Sequence, residues 1–248
     1  MNPYIGDEEV RSRFSSLLKK LNLWDEYAEF TCYGPDFVRL SSMEYALMRG
    51  KEVIVHCDIR GAYGESFADT PRERRLKMSE VANLDLSDVG NRALFFAALN
   101  SVMNYSGEIS GCIHCRGGDA DRCGEILAEE VLRRFGRVRV AHIGYQPGHV
   151  RACAKVFREV KVTDMNPENI GRVKFGVKIL DAAENEWVIS KSDVVCVTGS
   201  SIVNGTLPQI VDWCNRYGVE CVVYGITVKG VAKMVGWDVF CPFGRDSM

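Results

Sequence analysis

Several features that would take a chain of 248 residues out of the ordinary globular class are missing here. The start, Met1 to Glu9, has no basic and apolar leader, and no apolar run approaches the ~20 residues of a membrane-spanning helix. A cytoplasmic protein with no membrane partner is therefore expected. An excess of charge of one sign is also absent: 31 Lys and Arg face 33 Asp and Glu, a net −2. Nothing global then pulls the chain toward nucleic acid. Internal repeats and low-complexity segments are not found, which excludes solenoids and linker arrays. Without a secretory leader, the ten cysteines read as reduced thiols or metal ligands rather than disulfides. A Gly-x-Gly-x-x-Gly fingerprint is lacking, which argues against a nicotinamide enzyme, and no second Cys-x-x-Cys pair completes a zinc-finger or ferredoxin pattern.

What is present is an apolar run that ends abruptly in a polar loop. Val194 to Val197 has the length and β-branched content of a strand buried on both faces. Thr198, Gly199, Ser200, Ser201, Asn204, Gly205 and Thr206 follow, and a helical pattern begins at Leu207. Strand, hydroxyl and amide loop, then helix start is the local order at the carboxyl edge of an open α/β sheet. Ligands bind there, and free N–H groups favour an anion or a carboxylate. A helix cap and simple turns explain Thr206 and one glycine, but not Ser200, Ser201 and Asn204 together.

The second half alternates between strands and helices, which implies a mostly parallel sheet. Strands are expected at 137–144, 160–164, 193–197, 219–224 and 238–241, and helices at 149–159, 207–217 and 229–235. The first half reads as α+β. It has an amphipathic helix over 7–21, strands at 36–40 and 53–58, a polar and mobile stretch over 61–88, and an apolar helix over 88–103. The expected fold class is thus α/β, a mostly parallel carboxyl-terminal sheet (137–248) with a smaller α+β domain (1–136).

Three groups of residues could carry chemistry. Gly144, Pro147 and Gly148 sit where a dinucleotide loop would sit. Asp164, twenty residues after Gly144, has the spacing of an acid that holds ribose hydroxyls, as for an adenosine-type ligand. Asp164 could equally form an Asx turn. Cys112, His114, Cys115 and Cys123 place three thiols and an imidazole within twelve residues, a donor set suited to zinc or iron. A four-ligand site would draw on Cys57, His56 or Cys241, and the alternative is a set of small buried hydrophobes. His149 opens a helix near the expected cleft, whereas His142 lies in an apolar strand and reads as core. Asn100, near the end of an apolar helix, either faces the interdomain cleft or satisfies backbone groups.

Together, the segments 144–148, 163–167, 168–171 and 198–206 resemble the heavy-metal-chelation family of Rossmann-like proteins. Ala97 to Ser101 is similar to the segment that precedes its Rossmann-like domain. Where many members carry Gly-Pro-Ser after the fourth strand, this chain has Gly225-Ile-Thr227. The resemblance implies an enolase-like amino-terminal domain, a Rossmann-like carboxyl-terminal domain, and a site between them for a small-molecule ligand related to metal chelators, pterins or flavins. The expected function is small-molecule handling in that cleft, with no reaction identified. Alternatives are a metal carrier or insertion factor built on Cys112 to Cys123, and a ligand-binding sensor without catalysis. A homodimer is the expected assembly.

Overall fold

A computed structural model of the chain describes residues 1–70 and 72–247. Helix α1 (Asp7–Lys20) buries Val10, Phe14 and Leu18 on one stripe, with Asp7, Glu8 and Glu9 in its first turn and Lys19 and Lys20 in its last, as the helix dipole favours. Strand β1 (Tyr27–Tyr33) follows, then the short helix α2 (Pro35–Val38), strands β2 (Val53–Ile59), β3 (Ala62–Ala68) and β4 (Arg74–Lys77), and helices α3 (Met78–Ala82) and α4 (Val89–Tyr105). The four strands form an antiparallel sheet in the order β3-β2-β1-β4. Helix α4, almost wholly buried, lies across β2 and β3. A Cβ at Gly64 would stand 2.1 Å from the Ser101 nitrogen, so glycine is what admits α4 this close to the sheet.

The remainder is a second layered unit. It runs α5 (Asp119–Phe135), β5 (Arg139–Ile143), α6 (Pro147–Val156), β6 (Glu159–Asp164), β7 (Val173–Lys174), β8 (Val177–Asp181), α7 (Asn185–Ser190), β9 (Val194–Thr198), α8 (Leu207–Tyr217), β10 (Glu220–Tyr224), α9 (Lys229–Val235) and β11 (Val239–Phe240). Seven strands pair in the order β11-β10-β9-β5-β6-β8-β7, all parallel except the β7–β8 hairpin. Setting β7 aside, this is the doubly wound Rossmann order, with the reversal between β5 and β9. The expected α/β class holds, a mostly parallel sheet joined to a smaller antiparallel one. One buried core runs from Phe14 through Phe95 and Leu99 to Val195 and Val231, across both sheets. Among the described residues, no helix is long and apolar enough to cross a membrane.

Two local expectations are corrected. Residues 36–40 are not a strand: Pro35 presets the first helical φ of α2, and Arg39 closes it in the left-handed region at φ 46°. The polar stretch 61–88, of which Pro71 lies outside the described residues, is largely ordered as β3, β4 and α3. Its polar composition misleads because Glu65 and Ser66 are buried with partners: Ser66 Oγ donates to the Ala93 carbonyl at 2.7 Å, and Glu65 meets His56 at 3.0 Å. Around the cysteines, regular pairing is limited to one bridge between Ile113 and Arg245.

Candidate functional site

Both strands that flank the reversal in strand order end in loops that meet. Gly144, after β5, has φ 87°, and a Cβ there would lie 2.7 Å from Thr198 Cγ2 at the end of β9. Only glycine lets these two strand ends touch. Asp164 ends β6 and ties the neighbouring loops together. Its Oδ2 accepts from the Tyr145 N–H and its Oδ1 from the Asn166 N–H, each at 2.6 Å. The second bond is the Asx turn the sequence allowed, yet Asp164 also borders open space. Thr198 Oγ1 lies 2.8 Å from Ser200 Oγ, and Asn204 Oδ1 accepts from Thr206 Oγ1 at 2.6 Å.

These loops form one wall of a cavity of about 450 Å³, a volume suited to a small organic ligand. Gly144, Tyr145, Gln146, Asp164, Asn166, Asn169, Thr198, Ser200 and Asn204 line it from the parallel-sheet side. The facing wall is Ala46, Lys51, Glu52, Phe67, Ala68, Asp69 and Val89, from the antiparallel-sheet half. Burial and the negative charge of Asp164 push the Glu52 carboxyl up to about 7, with Arg49 opposing them. Lys51 is drawn to Glu168 at 2.9 Å, and Arg49 donates to Asn169 Oδ1 at 3.3 Å.

Of the residues the sequence singled out, Gly144, Asp164, Thr198, Ser200 and Asn204 come together on this cavity, and the others lie elsewhere. Ser201 is buried and donates to the Thr198 carbonyl at 2.5 Å, while Gly199 packs against Val228. Pro147 and Gly148 are buried at the start of α6, where a Cβ on Gly148 would stand 2.7 Å from the Tyr45 hydroxyl. Thr206 precedes α8 without capping it. Asn100 is 1% exposed. Its Nδ2 donates to the carbonyls of Glu65, Ile226 and Thr227 at 2.9, 3.2 and 3.0 Å, and its Oδ1 accepts from the Gly230 N–H at 2.7 Å. Every amide valence is used on backbone, so Asn100 joins α4 to α9.

His149 is buried against His142 and Tyr224, with 3.3 Å between His149 Nδ1 and His142 Nε2. Burial pushes the His142 imidazole down to about 4 and lowers His149 well below the usual range, which makes this a neutral pair behind the Gly144 turn.

The thiols form a looser group. Cys115, Cys123 and Cys241 lie near enough for their charges to oppose one another, and Cys112 also senses Cys241. Burial pushes Cys112 and Cys115 up to about 12 and raises Cys123 and Cys241. His114 turns away: its Nδ1 is 2.6 Å from the Cys115 carbonyl and its ring is edge-on to Phe67. Among the described residues, no three His, Cys, Asp or Glu side chains stand where they could hold a metal ion. Cys112, His114, Cys115 and Cys123 therefore do not form such a group here.

The sequence did not single out Glu52. It lies just before β2 beside Lys51, and only the packing of the two halves brings it opposite Asp164. Glu65, fully buried between His56 and the His114 N–H (2.6 Å), was likewise unmarked, though an acid inside a strand pattern is itself a signal.

Residues 127–236 match the family described as "Putative heavy-metal chelation", DUF364, so the resemblance drawn from the motifs holds over that stretch. A solved protein of unknown function from that family of Pyrococcus horikoshii aligns with a TM-score of 0.52 and 19% identity, over 88% of this chain and 79% of that one. A second such protein, from Desulfitobacterium hafniense, aligns at 0.47 and 11%, with the same coverage. A dipicolinate synthase component from Bacillus halodurans aligns at 0.31 and 14%, over 55% of this chain and 59% of that one. The first likeness shows a shared fold. No curated protein matches in sequence.

Proposed function

From a chain that carries this family's sequence over residues 127–236, we propose that the protein holds a small organic molecule in the cavity between its two sheets. The observation that carries this proposal is the position of the cavity, at the switch point of a Rossmann-order sheet where such folds bind ligands. Thr198, Ser200 and Asn204 supply hydroxyl and amide contacts, Asp164 accepts from ligand donors, and Gly144 allows close approach of the backbone. The antiparallel-sheet half and the parallel-sheet half, which the sequence divides at 136/137, act as two jaws, the first being the enolase-like unit of the family resemblance. That resemblance supports the finer assignment to a ligand related to metal chelators, pterins or flavins. A metal carrier is the second reading, supported by the description of the matching family as putative heavy-metal chelation.

Native mass spectrometry of protein purified quickly without oxygen tests both. The expected spectrum contains an adduct on the order of a few hundred daltons, the size a pocket of this class holds. Asn204→Leu, which fills part of the cavity, should abolish the adduct. An adduct unchanged in that variant would overturn the cavity reading. A zinc- or iron-sized mass increment, lost in Cys241→Ser, would favour the carrier instead.

A further inference from the structure

We propose that the cavity receives a cationic nitrogen group, an amidinium or ammonium, between Glu52 and Asp164. This rests on the reading of the cavity as a ligand site.

Glu52 and Asp164 face the same space from opposite halves of the molecule, and Asp69 adds a third carboxylate to the lining. Lys51, a cation in the lining, is turned to Glu168 at 2.9 Å; Arg49, outside the lining, reaches Asn169 at 3.3 Å and Glu168 at 3.8 Å and keeps a buried Nε without a partner. An anion entering here would meet three acidic side chains in the lining, where the lining cation Lys51 is already held by Glu168. Asp164 is held in place by the Tyr145 and Asn166 N–H groups. Glu52, in contrast, has no side-chain hydrogen bond or ion pair among the described residues.

A half-buried carboxyl without a protein donor, facing a second carboxylate across the same cavity, is left partly unsatisfied when the cavity is empty. One cation relieves both costs, because its N–H groups satisfy the free lone pairs and its charge offsets the repulsion. A neutral polyol would satisfy the lone pairs but leave the repulsion in place.

The charged groups that act on Glu52 are Arg49, earlier in the same segment before β2, and Asp164 at the end of β6; Lys51, its neighbour in the chain, and Asp69, just after β3, share the cavity lining. Burial and Asp164 prevail over Arg49, so the carboxyl titrates at about 7. A cation stabilises the charged form, which links binding to proton release. Affinity should fall as pH drops through 7, because the ionised fraction at pH 6 is roughly tenfold below that at pH 8.

The test uses three probes of one shape, benzamidinium, benzamide and benzoate, added to the full chain and followed through the backbone amide resonances of Tyr145, Asn166 and Ser200. Benzamidinium should shift these resonances and bind roughly tenfold more tightly at pH 8 than at pH 6, a ratio that follows the ionised fraction. In Glu52→Gln the pH dependence should vanish. Binding of benzamide or benzoate in preference to benzamidinium would overturn the proposed ligand class and leave the cavity reading standing. Benzamidinium binding that is independent of pH in the unaltered protein would remove Glu52 from its role. If no probe at either pH moves these resonances, the inference and the cavity reading fall together.

Discussion

Glu52 shows how a single side chain can report on a site before any ligand is known. Its carboxyl is raised from an ordinary 4.5 to about 7, so it binds its proton more tightly in the folded chain than in the unfolded one. Stability from this group is therefore complete below pH 4.5 and is lost as pH climbs through 7. Glu52→Gln keeps the shape and removes the charge. The variant should match the parent near pH 4.5 and be more stable at pH 8 by about 1–3 kcal/mol, the scale of a shift of this size. Thermal unfolding at the two pH values checks this, and equal melting temperatures at pH 8 would mean that the carboxyl is not in the environment described. The sequence could not single out Glu52, because its neighbours in the chain explain nothing about it. Gly144, Asp164, Thr198 and Ser200 were legible because strand-end loops of a parallel sheet are local patterns.

At the scale of elements, α4 and the loops beside it tell the same story. That α4 would be helical and buried was readable from its continuous apolar centre. The role of Asn100 on it was not, since a buried amide near a helix end serves a ligand or a backbone equally well. Packing decides, because α4 is wedged between the antiparallel sheet and α9, where the Glu65, Ile226 and Thr227 carbonyls and the Gly230 N–H meet the amide. Asn100→Ala would remove all four of these buried bonds and should destabilise the fold by about 2–4 kcal/mol. Denaturant unfolding measures that loss. A variant as stable as the parent would show that the amide is not a structural tie. Residues 61–88 were misread for a related reason. Strands β3 and β4 carry polar side chains whose partners, such as the Ala93 carbonyl for Ser66, lie far away in the chain.

For the whole molecule, the alternation of strands and helices fixed the parallel class, while the strand order came only from pairing. The β7–β8 hairpin carries no alternation strong enough to mark it, yet β8 supplies the strand beyond β6 that completes the Rossmann order. That order puts the reversal between β5 and β9, and hence the cavity between Gly144 and Thr198. The antiparallel half then closes it with Glu52, Phe67 and Asp69. A crystal structure of protein purified without dialysis, so that a bound molecule is retained, tests this account most directly. Density for an organic molecule between Glu52 and Asp164, in contact with Thr198, Ser200 or Asn204, is the expected result. A bound molecule located anywhere else, with this cavity filled only by water, would contradict it.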